Sequence, residues 1–149
     1  MSVMVAERKR GMRMQDRYLC KAKRIKDTQW IEGYLIYSFT GAPFIITKYD
    51  HILALVARDE IDPETICRCT GLKDKNGNLI WENDIVAYWD SYSTESGLAE
   101  ADCIGKVVWD DGTISFQVTN RLSAESYEVL GDECSVIGNV FDNPELLEE

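Results

Sequence analysis

The sequence predicts a mostly β protein, and three stretches carry most of that signal. Asn76-Gly77 stands between two apolar runs, and because both residues accept positive φ at little cost, this step predicts a type I′ hairpin. Asp111-Gly112 predicts a second hairpin for the same reason. Trp30–Ser38 is rich in the β-branched and aromatic residues that favour strands. We therefore expect Asn76, Gly77, Asp111 and Gly112 to be structural turn residues.

The composition is typical of a soluble globular protein with one domain, or with two small subdomains sharing a core. Of the 149 residues, 45% are hydrophobic and 28% charged, and there are three prolines, which argues against extensive disorder. The longest apolar run, Ile52–Ala57, is far shorter than the roughly 20 residues of a membrane-spanning helix. The basic N-terminus is not followed by the apolar core of a signal peptide. We expect no membrane association and a cytoplasmic location.

The five cysteines are an odd number at irregular spacings, which suits reduced thiols better than a disulfide framework. Cys67-Arg68-Cys69 places two thiols on one face of a strand, but zinc sites usually combine two ligand pairs with C-x2-C spacing. Cys20, Cys103 and Cys134 offer no second pair. We therefore interpret the cysteines as buried side chains and expect no metal and no cofactor.

The net charge of −10 conceals an asymmetry along the chain. The first 26 residues carry nine Lys or Arg against Glu7 and Asp16, a local charge of +7, and the remainder carries −17. Such a basic arm contacts nucleic acid, or it lies against the acidic surface of its own or a neighbouring subunit. We favour the second interpretation because an acidic body repels phosphate. The candidate nucleic-acid contacts are Arg8, Lys9, Arg10, Arg13, Lys23 and Arg24.

The N-terminal half begins with residues 1–14, which lack strand alternation and are either a frayed extension or a short helix. Tyr18–Ile25 alternates loosely, and Thr40–Pro43 ends the strand of Trp30–Ser38. Phe44–Thr47 is then a strand that returns beside it.

The middle of the chain is less uniform. His51–Arg58 is ambiguous between a strand and one or two helical turns. Asp62–Thr65 predicts a turn, because Asp accepts backbone hydrogen bonds and the following Pro presets φ. Thr65–Thr70 and Ile85–Trp89 predict strands, and Asp90–Asp102 predicts a long polar loop.

A two-residue turn at Asp111-Gly112 would fix the register of its hairpin. Trp109 would then face Ile114, and Val107 would face Phe116, on the side that forms the core.

The C-terminal stretch predicts a strand at Tyr127–Leu130, a turn at Gly131-Asp132 and a strand at Cys134–Phe141 that is interrupted at Gly138-Asn139. Asn143 as N-cap and Pro144 at the first helical position predict a closing single helical turn.

Three blocks resemble the YopX-like family of phage and prophage proteins. They are I-D-P-E-T-I-C-R-C-T-G-L at Ile61–Leu72, D-K-N-G-N-L-I-W-E-N-D-I-V at Asp74–Val86, and V-I-G-N-V-F-D-N-P-E-L-L at Val136–Leu147. Their order and spacing agree with the family over roughly residues 18–149. Asn83 departs from the family, which usually has Gly there, but Asn is the non-glycine residue that best tolerates positive φ.

The resemblance implies a mostly β (α+β) fold in which a small N-terminal α+β or meander part precedes a C-terminal SH3-like β-barrel. It places a basic extension at residues 1–17, the N-terminal part at 18–70 and the barrel at 71–149. It also implies a homo-oligomer in a bacterial host, with no established catalytic or binding residues.

The chain offers little for catalysis, since His51 is the only histidine and no serine stands in a G-x-S-x-G motif. Asp74 is expected to stabilise the start of its hairpin, and Glu82 and Asp84 to be solvated rather than to act as acid and base. We expect a protein that is not an enzyme.

The candidate partner surface consists of Tyr88, Trp89 and Tyr92 beside the polar loop. An aromatic groove near a long loop of an SH3-like barrel can hold a proline-rich peptide, although two of these rings could instead be core. We expect a non-enzymatic phage accessory protein that is a homo-oligomeric scaffold or binds a host or phage partner. The alternative is a nucleic-acid-binding protein that uses the basic arm.

Overall fold

A computed structural model describes residues 17–50, 55–120, 126–128 and 131–148, and within these the fold is mostly β. The strands are antiparallel, and the only helical segments among the described residues are short 3-10 turns. The strands are β1 Leu19–Lys23, β2 Trp30–Tyr37, β3 Pro43–Asp50, β4 Leu55–Glu60, β5 Cys67–Lys73, β6 Leu79–Trp81, β7 Asp84–Thr94, β8 Gly97–Asp110, β9 Ser115–Thr119, β10 Ser126–Glu128 and β11 Cys134–Asn139. The 3-10 turns are Pro63–Thr65, Gly131–Glu133 and Pro144–Leu147.

The chain divides into two compact units, with the division between Gly71 and Leu72. In the first unit β1 to β4 form a meander in the order β4-β3-β2-β1, and β5 pairs with the free side of β1. The described strands of this part thus form a meander, which is one of the two forms that the family resemblance implied. Residues 55–58 of the ambiguous stretch His51–Arg58 belong to strand β4, while residues 51–54 lie outside the described part of the chain, as do residues 1–16.

The first unit has its core on one face of the meander. Cys20, Ala22, Ile45 and Ile61 are buried there because alternate residues of neighbouring strands point to the same side. Gly33 belongs to this face, and a Cβ at its position would lie 2.1 Å from the carbonyl oxygen of Ile46, so the close approach of β2 and β3 requires glycine.

The predicted turn at Asp62–Thr65 is confirmed. The side chain of Asp62 accepts a hydrogen bond of 3.0 Å from the Glu64 N–H, and Pro63 opens the 3-10 turn. The buried Thr65 hydroxyl accepts from the Lys23 N–H at 2.9 Å and donates to the Asp62 carbonyl oxygen at 2.8 Å. The turn therefore fastens the start of β5 to the end of β1.

The second unit contains a five-stranded antiparallel sheet in the order β10-β9-β8-β7-β11. Its core cluster consists of Ile80, Val86, Val107, Val118 and Cys134. The described strands form an open order with β10 and β11 at its two ends, so closure into a barrel stays a prediction.

The predicted polar loop at Asp90–Asp102 is wrong. Strands β7 and β8 instead continue as one long hairpin in which Trp89 pairs with Asp102 and Thr94 pairs with Gly97. The serines and threonines of this stretch suit the exposed faces of a hairpin as well as they suit a loop. The Thr94 hydroxyl donates to the Gly97 carbonyl oxygen at 2.7 Å and closes the turn.

The second predicted hairpin exists, but its register differs by two residues. The turn spans residues 111–114, so Trp109 faces Phe116 and Val107 faces Val118. The Asp110 carboxylate accepts from the Thr113 N–H at 2.9 Å, which stabilises the longer turn and leaves Ile114 at φ +55°. Because side chains alternate with period two, a slip of two leaves Val107 and Trp109 on their predicted face.

The C-terminal predictions hold in outline. Strand β11 ends at Asn139 and carries an irregularity between Val136 and Gly138, and the closing turn is the 3-10 segment Pro144–Leu147. Asn143 does not cap that turn through its side chain, which instead accepts from the Asn139 N–H at 3.2 Å. Of the strand predicted at Tyr127–Leu130, residues 127 and 128 lie in β10, and residues 129–130 lie outside the described part of the chain.

Candidate functional site

The hairpin at Asn76-Gly77 is not a type I′ turn. Gly77 has φ +82°, but Asn76 is outside the positive-φ region, and the Gly77 N–H donates to the Asp74 carbonyl oxygen at 3.0 Å. This is a three-residue loop in which Lys75 and Asn76 form a type I turn and Gly77 supplies the left-handed residue. The glycine is required as predicted, whereas the asparagine has another contact: its side-chain amide donates to the Ser135 hydroxyl at 3.2 Å.

Asp74 is the centre of this loop and is buried, with 4% of its surface exposed. One carboxylate oxygen accepts from the N–H groups of Asn76 and Asn78 at 2.9 and 2.8 Å. The other accepts from the Val136 N–H at 2.9 Å and from the Asn78 side chain at 3.4 Å. The Lys75 N–H also donates to the Cys134 carbonyl oxygen at 3.0 Å, so loop 74–78 is fastened to strand β11.

The ionised form of Asp74 is favoured by these contacts. Desolvation of the buried carboxylate raises its pKa, but the backbone N–H donors of Val136, Asn78 and Asn76 outweigh that effect, and the pKa is lowered overall. With both oxygens occupied by donors, the group stabilises the loop, as the sequence suggested.

Asp84 lies in the next turn and is also buried, which corrects its predicted solvation. Only 2% of its surface is exposed, and its carboxylate accepts from the Trp81 N–H at 2.8 Å across the turn. Asn83 occupies this turn with φ +69°, which confirms that it adopts the positive φ expected of glycine at this position. Its N–H donates to the Val107 carbonyl oxygen, and its carbonyl oxygen accepts from Val140.

The third block forms a compact turn around Asn139. Its side-chain oxygen accepts from the Phe141 and Asp142 N–H groups at 3.0 and 2.9 Å. A Cβ on Gly138 would lie 2.6 Å from the side-chain oxygen of Asn143, so this glycine makes room for the asparagine. In each of the three sequence blocks, polar side chains thus accept backbone hydrogen bonds that stabilise a turn.

The candidate partner residues are separated by the alternation of strand β7. Tyr88 is half-buried against the second core and its hydroxyl accepts from the Asn120 side chain. Trp89 lies on the opposite face and is 59% exposed. Tyr92 lies on the same strand, and its side chain is outside the described part of the structure. The structure therefore brings Tyr88 and Trp89 to opposite faces rather than into one groove.

Trp89 instead shares its face with residues of strand β8. Asp102 is directly opposite Trp89, and Ile104 is opposite Ala87, so Ile104 is the diagonal neighbour of Trp89. Ile104 is 40% exposed and Leu98, further along the same face, is 79% exposed. We call Trp89, Leu98 and Ile104 the outer hairpin face.

The sequence contained a signal for strand β8. Small or apolar residues recur at alternate positions from Ala99 to Val107, whereas the positions between them are mostly polar or exposed. This period of two is typical of a half-buried strand, whereas the preceding cluster of serine and threonine is typical of a loop.

Four of the candidate nucleic-acid contacts, Arg8, Lys9, Arg10 and Arg13, lie outside the described residues. Lys23 is half-buried at the end of β1, with its ammonium 5.3 Å from the Trp30 ring centroid. Arg24 forms an ion pair with Asp27 and lies 3.9 Å from the Asp59 carboxylate. The Asp59 carboxylate also forms an ion pair with the Lys26 ammonium at 3.1 Å. This part of the basic segment therefore contacts acidic residues of its own chain.

All five cysteines are free thiols and buried. The pKa of Cys134 is raised, first by burial and then by the negative charges of Asp74, Asp132 and Asp84. In the ranges that the structure covers, no group of three or more His, Cys, Asp or Glu is arranged to hold a metal ion. No helix among the described residues has the length and apolar character needed to cross a membrane.

The fold and these turns define a class: a mostly β protein of two antiparallel units, in which buried aspartates and positive-φ residues fix the hairpins. Comparison with protein families identifies the family within this class. The sequence model of the family described as YopX protein matches residues 8–148, and the chain belongs to this family. No curated protein gives a significant match.

Proposed function

We propose that this protein is a non-enzymatic accessory protein of phage or prophage origin that self-assembles through the outer hairpin face. The carrying observation is that Trp89, Leu98 and Ile104 expose apolar surface on one face of the longest hairpin in the described chain. Apolar side chains gathered on one face of a regular element are a usual mark of a protein interface.

A second copy of the chain is the occupant that this face suits best. Packing of the same face from two copies gives an isologous contact that closes after two subunits. Such a contact places the tryptophan near the centre of the buried surface, where tryptophan contributes most to binding. The charge on the same face is small, since Glu100 and Asp102 are partly offset by Lys106, so the repulsion expected of a chain with net charge −10 is reduced there.

The test is the oligomeric state of full-length protein by light scattering and sedimentation over micromolar concentrations. We expect an oligomer that Trp89→Ala shifts towards monomer at least about tenfold in dissociation constant, because a central interface tryptophan contributes about 2 kcal/mol or more. The matched control is Phe39→Ala, since Phe39 is fully exposed in a turn of the first unit. A strict monomer, or equal effects of both variants, would refute this interface.

The proposal also covers the fold of the second unit and the cellular location of the protein. An SH3-like barrel in the second unit is supported by its consecutive antiparallel strands β7 to β9 and by the family resemblance. A cytoplasmic location in the bacterial host agrees with five reduced, buried thiols. An experimental structure in which both ends of the second sheet stay unpaired would contradict the barrel.

Nucleic-acid binding by the basic arm is the second candidate function. It is favoured by the local charge of +7 over the first 26 residues. Replacing Arg8, Lys9, Arg10 and Arg13 by Gln in the full chain should weaken binding of both DNA and RNA and reduce its dependence on salt. Unchanged binding, or none at low salt, would exclude the arm.

A further inference from the structure

The outer face of the first sheet, opposite its core, combines aromatic and basic side chains. Strand register places Lys23 opposite Trp30 and Lys21 opposite Glu32. Tyr34 lies on β2, four residues after Trp30. Across the next pairs, Ile36 faces Phe44 and Ile46 faces Arg58. Since directly paired residues share a face, Lys21, Lys23, Trp30, Tyr34, Phe44 and Arg58 all lie on one side, which we call the aromatic-basic face.

Cations and rings of this face are already paired in space. The Lys21 and Lys23 ammonium groups lie 5.0 and 5.3 Å from the centroid of the Trp30 ring. The Arg58 guanidinium lies 5.3 Å from the centroid of the Phe44 ring. Tyr34 stands between these two groups and is 43% exposed. Along β2, Trp30 and Tyr34 are separated by about 13 Å, at roughly 3.3 Å per residue.

We propose that the aromatic-basic face binds single-stranded nucleic acid, with bases stacking on the rings and phosphates contacting Lys21, Lys23 and Arg58. Base stacking on aromatic side chains beside a basic track is how sequence-independent single-strand binding works. A duplex keeps its bases stacked on one another, so it gains only the phosphate contacts. The proposal rests on the second candidate function only for the class of ligand, nucleic acid, and assigns its binding to a different site.

The charge of this face differs from that of the molecule. It carries three cations against the carboxylates of Glu32 and Glu60, whereas the whole chain has a net charge of −10. Repulsion from distant acidic residues is screened beyond about 8 Å at physiological salt, while contacts within the face are much less affected. An acidic peptide would satisfy the cations but leave the rings unused, so the face suits a strand that offers both bases and phosphates.

The experiment measures fluorescence anisotropy of labelled single-stranded oligo(dT) with the full-length protein over a series of salt concentrations from low to physiological. Tyr34→Ala should weaken binding about fivefold or more, the lower limit for loss of one base-stacking contact. The matched control is Tyr37→Ala, because Tyr37 lies on the same strand with the opposite side-chain direction and is 63% exposed. Arg58→Gln should weaken binding and reduce the slope of log affinity against log salt by about 0.7, the value for one phosphate contact on a single strand.

A control for the charge change is Lys26→Gln, since Lys26 is paired with Asp59 outside this face. Weaker binding by Tyr34→Ala and Arg58→Gln, with Tyr37→Ala and Lys26→Gln unchanged, supports the face. Equal effects of the two tyrosine variants would overturn it, as would duplex DNA bound as tightly as oligo(dT), or displacement of oligo(dT) by polyglutamate at equal charge concentration.

The arm and the face fail separately. Binding abolished by Gln at the four arm positions and unaffected by Tyr34→Ala refutes the face and leaves the arm. Binding that resists the arm substitutions and falls with Tyr34→Ala refutes the arm and leaves the face. Absence of binding at low salt refutes both.

Discussion

Replacing Asp74 by Ala tests whether the buried carboxylate fastens loop 74–78 to strand β11. The substitution removes the acceptor for three backbone N–H groups, those of Asn76, Asn78 and Val136, at 2.8 to 2.9 Å. Hydrogen bonds to a charged group contribute about 1.5–3 kcal/mol each, and the contributions of several bonds to one carboxylate are not additive. We therefore expect a loss of about 3–4 kcal/mol in the free energy of unfolding from the three contacts together.

The assay is urea unfolding followed by tryptophan fluorescence, to which Trp81, Trp89 and Trp109 of the second unit contribute. Asp74→Asn keeps one carbonyl acceptor and should lose only about 1–2 kcal/mol, so the site remains testable if the alanine variant does not fold. Asp132→Ala is the control, since Asp132 is an exposed aspartate of the same unit and should change stability by less than about 0.5 kcal/mol.

The pH dependence gives a second, independent measurement. The folded pKa of Asp74 is lowered, so its stabilising effect is fully present above the unfolded value of about 3.9 and is lost as the pH falls through the folded value. The difference in stability between the natural protein and Asp74→Ala should therefore be constant near neutral pH and shrink below about pH 4. A difference under about 1 kcal/mol at pH 7, or one that does not change on acidification, would refute the role assigned to this carboxylate.

Three further predictions concern backbone geometry, two of them measured in the same unfolding assay and the third by circular dichroism. Gly77→Val should lower the free energy of unfolding by about 1–2 kcal/mol, because Gly77 has φ +82° with open space around it, so that backbone strain is the only penalty. Glu82→Gln should leave the fold intact. Ile114→Gly should stabilise the protein by about 1 kcal/mol, because a β-branched residue stands at φ +55° with a 75% exposed side chain; a loss of stability would contradict this. Gly33→Ala should disrupt the first sheet, seen as lost β signal in circular dichroism, because its Cβ would overlap the Ile46 carbonyl oxygen.

Local turn chemistry was predictable where one residue determines it. Asp62-Pro63 gave the observed turn, Gly77 the positive φ, and Asn83 the left-handed conformation that glycine usually supplies. Each of these depends on the conformational preference of a single side chain or ring, which does not change with tertiary context.

Loop lengths were less predictable because they depend on interactions between residues. The register of the second hairpin was missed by two residues since the Asp110 carboxylate stabilises a four-residue turn. The type I′ prediction failed because Asp74 holds the loop N–H groups, and that carboxylate is itself positioned by Val136, 62 residues away. No short-range pattern contains that contact.

The candidate surfaces were likewise predictable where local alternation determines them and not where they depend on strand pairing. The strand predicted at Ile85–Trp89 already places the side chains of Tyr88 and Trp89 on opposite faces. Only the loop predicted after this strand, at Asp90–Asp102, suggested that the two rings could line one groove. The aromatic-basic face required the pairing of β1 with β2 and of β3 with β4, and the sequence predicted neither of these but only the pairing of β2 with β3.

The fastening of loop 74–78 to strand β11 also restricts how this protein can polymerise. The outward carbonyl of Cys134 and the outward N–H of Val136 are both occupied by the loop, so a strand from another molecule cannot add there by continuing the sheet. We expect extra residues between Asp74 and Asn78 to release the Cys134 carbonyl and the Val136 N–H, which would leave this part of β11 open to pairing with a strand of another molecule. We therefore expect the length of this loop to affect solubility, because the loop blocks strand addition at this position of β11.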